Sequence, residues 1–184
     1  LISPNGLGNY FFTGAPGNNS YRKGGGVYIK DSNPTLTNLN ISNSSLEDLY
    51  AFTSYGGGIW TNYSNLTLTN STIRNNSASE SGGGVYFRHS ASPSLNSVNI
   101  RNNSANTGAG LYCEYSSPSL ENMIINNNSA SWGGGIYLHG GNPVSNPSLE
   151  NVTITGNSAS FGGDSKRYFR TIPSRIASGM GMTT

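Results

Sequence analysis

The stretch from Gly82 to Ala105 reads GGGVYFRHSASPSLNSVNIRNNSA and is the clearest copy of a unit that recurs along the chain. Each copy opens with a glycine-rich triplet, and an aliphatic residue followed by an aromatic residue comes directly after it. The triplets end at Gly26, Gly58, Gly84, Gly110 and Gly135, so successive copies are 32, 26, 26 and 25 residues apart. A sixth copy begins at Gly162 and Gly163. Self-similarity at a nearly fixed period predicts a repeat architecture.

Two aliphatic columns follow the triplet and are five residues apart in every copy, and an asparagine motif begins three residues after the second column in four copies. The leucine column consists of Leu36, Leu68, Leu95, Leu120 and Leu149, and the isoleucine column of Ile41, Ile73, Ile100, Ile125 and Ile154. Asn-Ser-Ala follows in four copies, at Asn76, Asn103, Asn128 and Asn157. Apolar and polar residues alternate around these columns, which is typical of strands rather than helices.

One repeat alone buries too little apolar surface to be stable, so stacked repeats have to share one core. A unit of about 26 residues with short strands and Gly, Pro and Asn corners predicts a coil of a parallel β-helix. We therefore expect an all-β solenoid of five to six coils over residues 24–163. Residues 1–23 are expected to form an N-terminal cap or partial coil, and residues 164–184 a basic tail outside the repeat.

The copy that begins at Gly82 resembles the repeat of right-handed parallel β-helix proteins of bacterial surfaces. The residues that carry the resemblance are Gly82 to Tyr86, Ser92 to Leu95, Ile100, and Asn103 to Ala105. Similar repeats occur in polymorphic outer-membrane proteins and in secreted proteins that share the shape of the pectate-lyase-like superfamily. The resemblance implies display outside the cell or at its surface, often in adhesion, and it brings no catalytic motif to this chain.

Composition excludes several classes of protein. Only 10% of the residues are charged, against roughly 25% in an ordinary soluble domain. The basic residues of the repeat region are scattered, which argues against nucleic-acid binding, and no apolar run approaches the roughly 18 residues of a membrane span. Cys113 is the single cysteine, and alternation places it in the core as a small apolar side chain.

The aromatic residue after each triplet defines a column that alternation places on the outside of the coil. We call Tyr28, Trp60, Tyr86, Tyr112 and Tyr137 the outer aromatic column. Rings stacked at the strand spacing predict a continuous ladder, which either binds sugars or a partner or is explained by internal packing, including packing against the insertion at 46–55. The next outward column pairs Arg88 with Glu114, and His89 and His139 are expected at the surface.

Two further patterns concern candidate sites. Glu121 and Glu150 occupy the same position in adjacent copies, so either they bind a cation or they are ordinary surface glutamates. Ten Asn-x-Ser/Thr sequons are candidate N-glycosylation sites if the source has that pathway. They begin at Asn18, Asn40, Asn43, Asn62, Asn65, Asn70, Asn75, Asn102, Asn127 and Asn151.

These patterns favour a non-enzymatic, extracellular or cell-surface β-helix with a structural or adhesive role. Expected partners are further copies of the chain, joined end to end into a fibre, or other surface proteins, with glycans as a further class. No cofactor is expected. The alternative is a carbohydrate-binding or polysaccharide-degrading module that uses the outer aromatic column, with Glu121 and Glu150 as its acids.

Overall fold

The computed structural model describes residues 10–11, 21–46, 53–89, 92–139, 145–161, 163 and 165–167. These residues form an all-β parallel solenoid, and the described part of the chain contains no helix. The predicted fold class is therefore confirmed. The solenoid makes about four turns, fewer than the five to six coils expected, because a count of glycine triplets includes the incomplete coils at both ends.

The first sheet, which we call sheet 1, is built from the residues that follow the glycine triplets. Its strands are Tyr10–Phe11, Val27–Lys30, Ile59–Asn62, Val85–Arg88, Leu111–Glu114, Ile136–His139 and Ser165–Arg167. All neighbours pair in parallel except Tyr10–Phe11, which pairs antiparallel with the strand at Val27–Lys30. Equivalent residues of adjacent copies are in register, as in Tyr86 opposite Tyr112.

The second sheet, sheet 2, carries the leucine and isoleucine columns. Its strands are Thr35–Thr37, Asn40–Ser42, Thr67–Arg74, Ser94–Arg101, Ser119–Glu121, Ile124–Asn126, Ser148–Glu150 and Thr153–Thr155. The remaining side of the coil consists of short pairs. They join Tyr21–Lys23 to Thr53–Tyr55, Ser45–Leu46 to Ser77–Ala78, and Ser129–Trp132 to Ser158–Phe161.

The core lies inside the coils, where the inward side chains of sheets 1 and 2 meet. Phe87, Ile100 and Cys113 are fully buried in this cluster. The inward position predicted for Cys113 is confirmed, and burial raises the pKa of its thiol. The same columns continue from coil to coil, so the molecule has one continuous core, as stacked repeats require.

Glycine and asparagine occupy the corners for different physical reasons. Glycine allows positive φ and close approach of the backbone, and the asparagine amide forms hydrogen bonds between coils. Gly82 has a φ of +68°, which side chains rarely tolerate. A Cβ on Gly84 would lie 2.6 Å from the carbonyl oxygen of Gly110 in the next coil. The buried asparagines of the Asn-Ser-Ala motif form a ladder, with Asn103 Nδ2 donating to Asn128 Oδ1 at 3.0 Å. Each of these amides therefore links two adjacent coils.

Candidate functional site

The outward face of sheet 1 presents the outer aromatic column as two stacks of rings. Tyr28 and Trp60 stack with their ring centroids 4.7 Å apart. Tyr86 stacks on Tyr112 at 4.8 Å, and Tyr112 on Tyr137 at 5.2 Å, with interplanar angles of 8° and 7°. Strand register brings the rings together, because equivalent residues of a parallel ladder lie about 4.8 Å apart.

The expectation that these rings form an exposed strip is wrong. Trp60 and Tyr86 are 2% and 5% exposed, and Tyr112 and Tyr137 are also buried. Tyr55 and Trp132 pack against the column from outside, so it forms a second apolar cluster beyond the inner core. Stacking covers the ring faces within each stack, so the column presents no continuous strip of ring faces to a sugar. The alternative of internal packing is therefore confirmed for these four side chains.

A cleft opens on this face where the two stacks meet, and it is the strongest candidate site. It has a volume of about 370 Å³ and is lined by Lys23, Tyr55, Trp60, Tyr86, Arg88 and Glu114. Lys23 reaches the cleft because the strand Tyr21–Lys23 pairs with Thr53–Tyr55 on the adjoining side of the coil. The cleft thus combines aromatic walls with three charged side chains.

The charged groups of the cleft are held by specific contacts. Arg88 Nε lies 3.1 Å from Glu114 Oε2, so the predicted pair is confirmed. The Tyr86 hydroxyl donates a hydrogen bond of 2.5 Å to the same carboxylate oxygen. Lys23 Nζ lies 5.0 Å from the centroid of the Trp60 ring, within the range of a cation–π interaction. The polar groups are therefore preorganised around the aromatic walls.

Burial shifts the ionisation of several of these groups. It raises the pKa of Tyr86, and the hydrogen bond to Glu114 raises it further. Burial likewise raises the pKa of Tyr112, with the charge of Glu114 as the next cause. Burial lowers the pKa of Lys23, assisted by the positive charge of Arg88. The tyrosine hydroxyls consequently remain protonated hydrogen-bond donors at neutral pH.

A second aromatic arrangement lies at the corners that follow four successive strands of sheet 1. We call Asp31, Tyr63, His89 and Tyr115 the corner column. His89 stacks between Tyr63 at 5.0 Å and Tyr115 at 5.1 Å. All four residues have positive φ, between 47° and 52°. Tyr63 is 61% exposed, so the corner column carries a far more exposed ring than Trp60 or Tyr86 of the outer aromatic column.

The corner column was missed at the sequence level, although a signal exists. Tyr63, His89 and Tyr115 are each 26 residues apart, the same spacing as the glycine triplets that precede them. The pattern is hard to recognise because the middle residue is a histidine between two tyrosines. The three residues also lie in turns, where the alternation of a strand predicts no side-chain direction. His139 is exposed as expected, whereas His89 is only partly exposed because two rings cover it.

The comparisons with known proteins agree with this architecture. A family model for the right-handed beta helix region matches residues 15–169. The chain belongs to this β-helix family. No curated protein and no solved structure matches the chain.

In this β-helix, Glu121 and Glu150 lie in register on sheet 2, as predicted. Glu121 accepts a hydrogen bond of 3.0 Å from Asn96 Nδ2. Among the described residues, no three His, Cys, Asp or Glu side chains are grouped so that they could hold a metal ion. Cation binding by Glu121 and Glu150 stays a prediction. The contact seen at Glu121 is its hydrogen bond with the neutral amide of Asn96.

The sequons differ in accessibility within the β-helix. Asn62 is buried in sheet 1 at 9% exposure, so the expectation of an accessible site there is wrong for the folded chain. Asn18 lies outside the described residues. The side chains at the other eight positions are exposed, and they are Asn40, Asn43, Asn65, Asn70, Asn75, Asn102, Asn127 and Asn151. Whether they carry glycans stays a prediction.

Within the described residues, no helix is long and apolar enough to cross a membrane.

Proposed function

We propose that this chain is a non-enzymatic adhesion module that binds carbohydrate in the cleft of sheet 1, outside the cell or at its surface. The observation that carries the proposal is the cleft itself, where Trp60 and Tyr86 stand beside the charges of Lys23, Arg88 and Glu114. Binding sites for small ligands combine mainly apolar walls with a few placed polar groups. A sugar has both apolar C–H faces and hydroxyl groups, so it matches this combination.

The polar contacts of the cleft support binding rather than bond cleavage. Among the described residues, Glu114 is the one carboxylate that lines it, and its Oε2 is shared by Arg88 and the Tyr86 hydroxyl. A general acid or base needs an ionisable group within hydrogen-bond reach of the reacting proton. A carboxylate whose one oxygen already accepts a hydrogen bond from Tyr86 and pairs by charge with Arg88 is better suited to orient a ligand through its other oxygen.

The proposed display outside the cell is supported by the resemblance of the repeat to those of bacterial surface proteins. That the chain is specifically similar to polymorphic outer-membrane proteins is part of this proposal. A stiff solenoid also suits adhesion, because its regular coils hold a site on a rigid surface. End-to-end assembly into a fibre stays a prediction, and sedimentation of the purified chain over a range of concentrations tests it.

The experiment uses a glycan array with the intact chain and a cleft variant. Lys23→Gln combined with Arg88→Gln removes both cations and keeps the aromatic walls. Arg74→Gln combined with Arg101→Gln is the matched control, because it removes two positive charges from sheet 2, where the two arginines lie in register. We expect array binding that the control retains and the cleft variant loses by at least tenfold.

Two results would contradict the proposal. An intact chain that binds no glycan would remove carbohydrate as the ligand class. Equal binding by the cleft and control variants would remove the cleft as the site. Mass spectrometry of each bound oligosaccharide after incubation tests the non-enzymatic part, since shortened or unsaturated products would show cleavage.

A further inference from the structure

The first step of the corner column differs from the others, because a carboxylate replaces a ring there. Asp31 and Tyr63 are equivalent corner residues of adjacent coils. Each donates its backbone N–H to a carbonyl of the next coil, Asp31 to Asn62 and Tyr63 to Arg88. Their φ values of 52° and 50° are nearly identical, so the two side chains leave the coil in the same way, about one strand spacing apart.

Because Asp31 carries a carboxylate in place of a ring, no second ring of the described residues stacks on Tyr63. His89 covers one face at 5.0 Å, and the 61% exposure of Tyr63 agrees with a single covered face. A flat group that stacked on the open face would continue the ladder by one step. It would lie at the level of Asp31, with the carboxylate at its edge.

The polar groups at this step suit a neutral sugar. Lys30 Nζ lies 3.6 Å from Asp31 Oδ2, and both side chains are more than half exposed. The carboxylate accepts hydrogen bonds from hydroxyl groups, and the ammonium donates to them. A free cation is disfavoured because the charge of Lys30 already occupies the site. An aromatic face with a neighbouring donor and acceptor is therefore matched to the apolar face and equatorial hydroxyls of a pyranose.

The left-handed backbone of the corner column holds Tyr63 in an exposed position. A bulky residue with positive φ is uncommon, and the left-handed conformation costs about 1–2 kcal/mol for a residue with a Cβ. Other left-handed corners of this chain use asparagine, as at Asn75 and Asn102, which tolerates the conformation. His89 and Tyr115 share this left-handed conformation but are only partly exposed, whereas Tyr63 is 61% exposed.

We propose that Tyr63 and Asp31 form a second carbohydrate subsite, which takes the face of a neutral pyranose at the open end of the corner column. The ligand class rests on the proposed function, but the residues are distinct from those of the cleft. A chain with two separate subsites would gain avidity for long or clustered glycans.

The experiment follows the tyrosine rings by NMR in the intact chain with ¹³C-labelled tyrosine. The signal of Tyr63 is assigned from its loss in Tyr63→Asn. Methyl glycosides of glucose, galactose and mannose are the probes, and arginine amide is the cationic comparison. We expect a saturable shift of the Tyr63 signal with at least one glycoside, an affinity at least fivefold weaker in Asp31→Asn, and an unchanged affinity in Tyr115→Asn.

The outcomes separate this proposal from the cleft proposal. A Tyr63 signal that shifts equally in wild type and in Lys23→Gln/Arg88→Gln supports the second subsite whatever the cleft does. The proposal is overturned if no glycoside moves the Tyr63 signal, or if Asp31→Asn binds as tightly as wild type. It is also overturned if arginine amide binds and the glycosides do not, because the step would then be a cation site.

Discussion

The outer aromatic column and the corner column stack rings at nearly the same spacing, yet their rings differ in exposure to solvent. Trp60 and Tyr86 lie under Tyr55 and other neighbours and are almost fully buried. Tyr63 stands at a left-handed corner with one face uncovered. Strand register alone stacks the rings of a solenoid. The exposure of each ring, and hence its ability to bind a ligand, depends on the neighbouring side chains that cover it.

The largest expected difference between the columns is in stability. Trp60→Ala removes a fully buried ring from the second apolar cluster and leaves a cavity, which typically costs about 3–5 kcal/mol. Urea denaturation followed by circular dichroism measures the change. Tyr63→Asn is the counterpart at the corner, where we expect a change of about 1 kcal/mol or less. Equal losses would show that the two columns contribute equally to packing.

Alkaline pH should weaken the fold through the buried tyrosines. Burial raises the pKa of Tyr86 and Tyr112, whereas a tyrosine in the unfolded chain ionises near pH 10. The unfolded state therefore loses its protons first, so this stabilisation is present below pH 10 and is lost as the pH rises further. Each tyrosine contributes about 1.4 kcal/mol per pH unit in that range.

Denaturation midpoints between pH 9 and pH 11 measure this effect. Tyr86→Phe combined with Tyr112→Phe should flatten the decline, with Tyr115→Phe as the matched control at the corner. A decline of the same slope in the double variant would assign alkaline sensitivity to other groups. Cys113 adds an effect of the same sign, since burial raises the pKa of its thiol as well.

A smaller effect is expected from one hydroxyl in the cleft. Tyr86→Phe keeps the ring stack and removes the donor to Glu114. We expect a loss of about 1.5 kcal/mol, the low end for a hydrogen bond to a charged group, because Arg88 still pairs with the carboxylate. Denaturation at neutral pH measures it. No loss of stability would mean that the short contact adds nothing beyond the stack.

The smallest expected effect has the opposite sign. Tyr63→Asn places a residue that tolerates the left-handed region at a strained corner, and it forfeits one exposed ring contact with His89. We expect a gain of up to about 1 kcal/mol together with loss of the sugar-dependent signal at the corner. A variant that is less stable by 1 kcal/mol or more would show that Tyr63 is retained for packing.

Much of the fold could be predicted because a repeat fixes its own register. The pairing of Val85 with Leu111 and of Ile100 with Ile125 follows directly from the spacing of the copies. The burial of the Asn103 amide follows from its fixed place three residues after the isoleucine column. At these positions the alternation within a strand and the stacking of copies both predict an inward side chain, so local pattern and overall fold agree.

The candidate site was less accessible to prediction, for two physical reasons. Alternation shows that Trp60 points away from the inner core, but it carries no information about a second layer supplied by Tyr55 and Trp132. The cleft also depends on Lys23, which precedes the first complete copy and reaches the site through pairing with the insertion. The corner column lies in turns, where side-chain direction depends on a left-handed residue rather than on a strand period.

The fluorescence of Trp60 offers the most direct test that the outward face of sheet 1 binds carbohydrate. The chain has two tryptophans, so Trp132→Phe leaves Trp60, in the wall of the cleft, as the single emitter. Titration with the strongest oligosaccharide from the array should change its emission saturably, and Lys23→Gln/Arg88→Gln in the same background should abolish the change. Array binding that leaves the emission of Trp60 unchanged would contradict the account and move the site elsewhere on the solenoid.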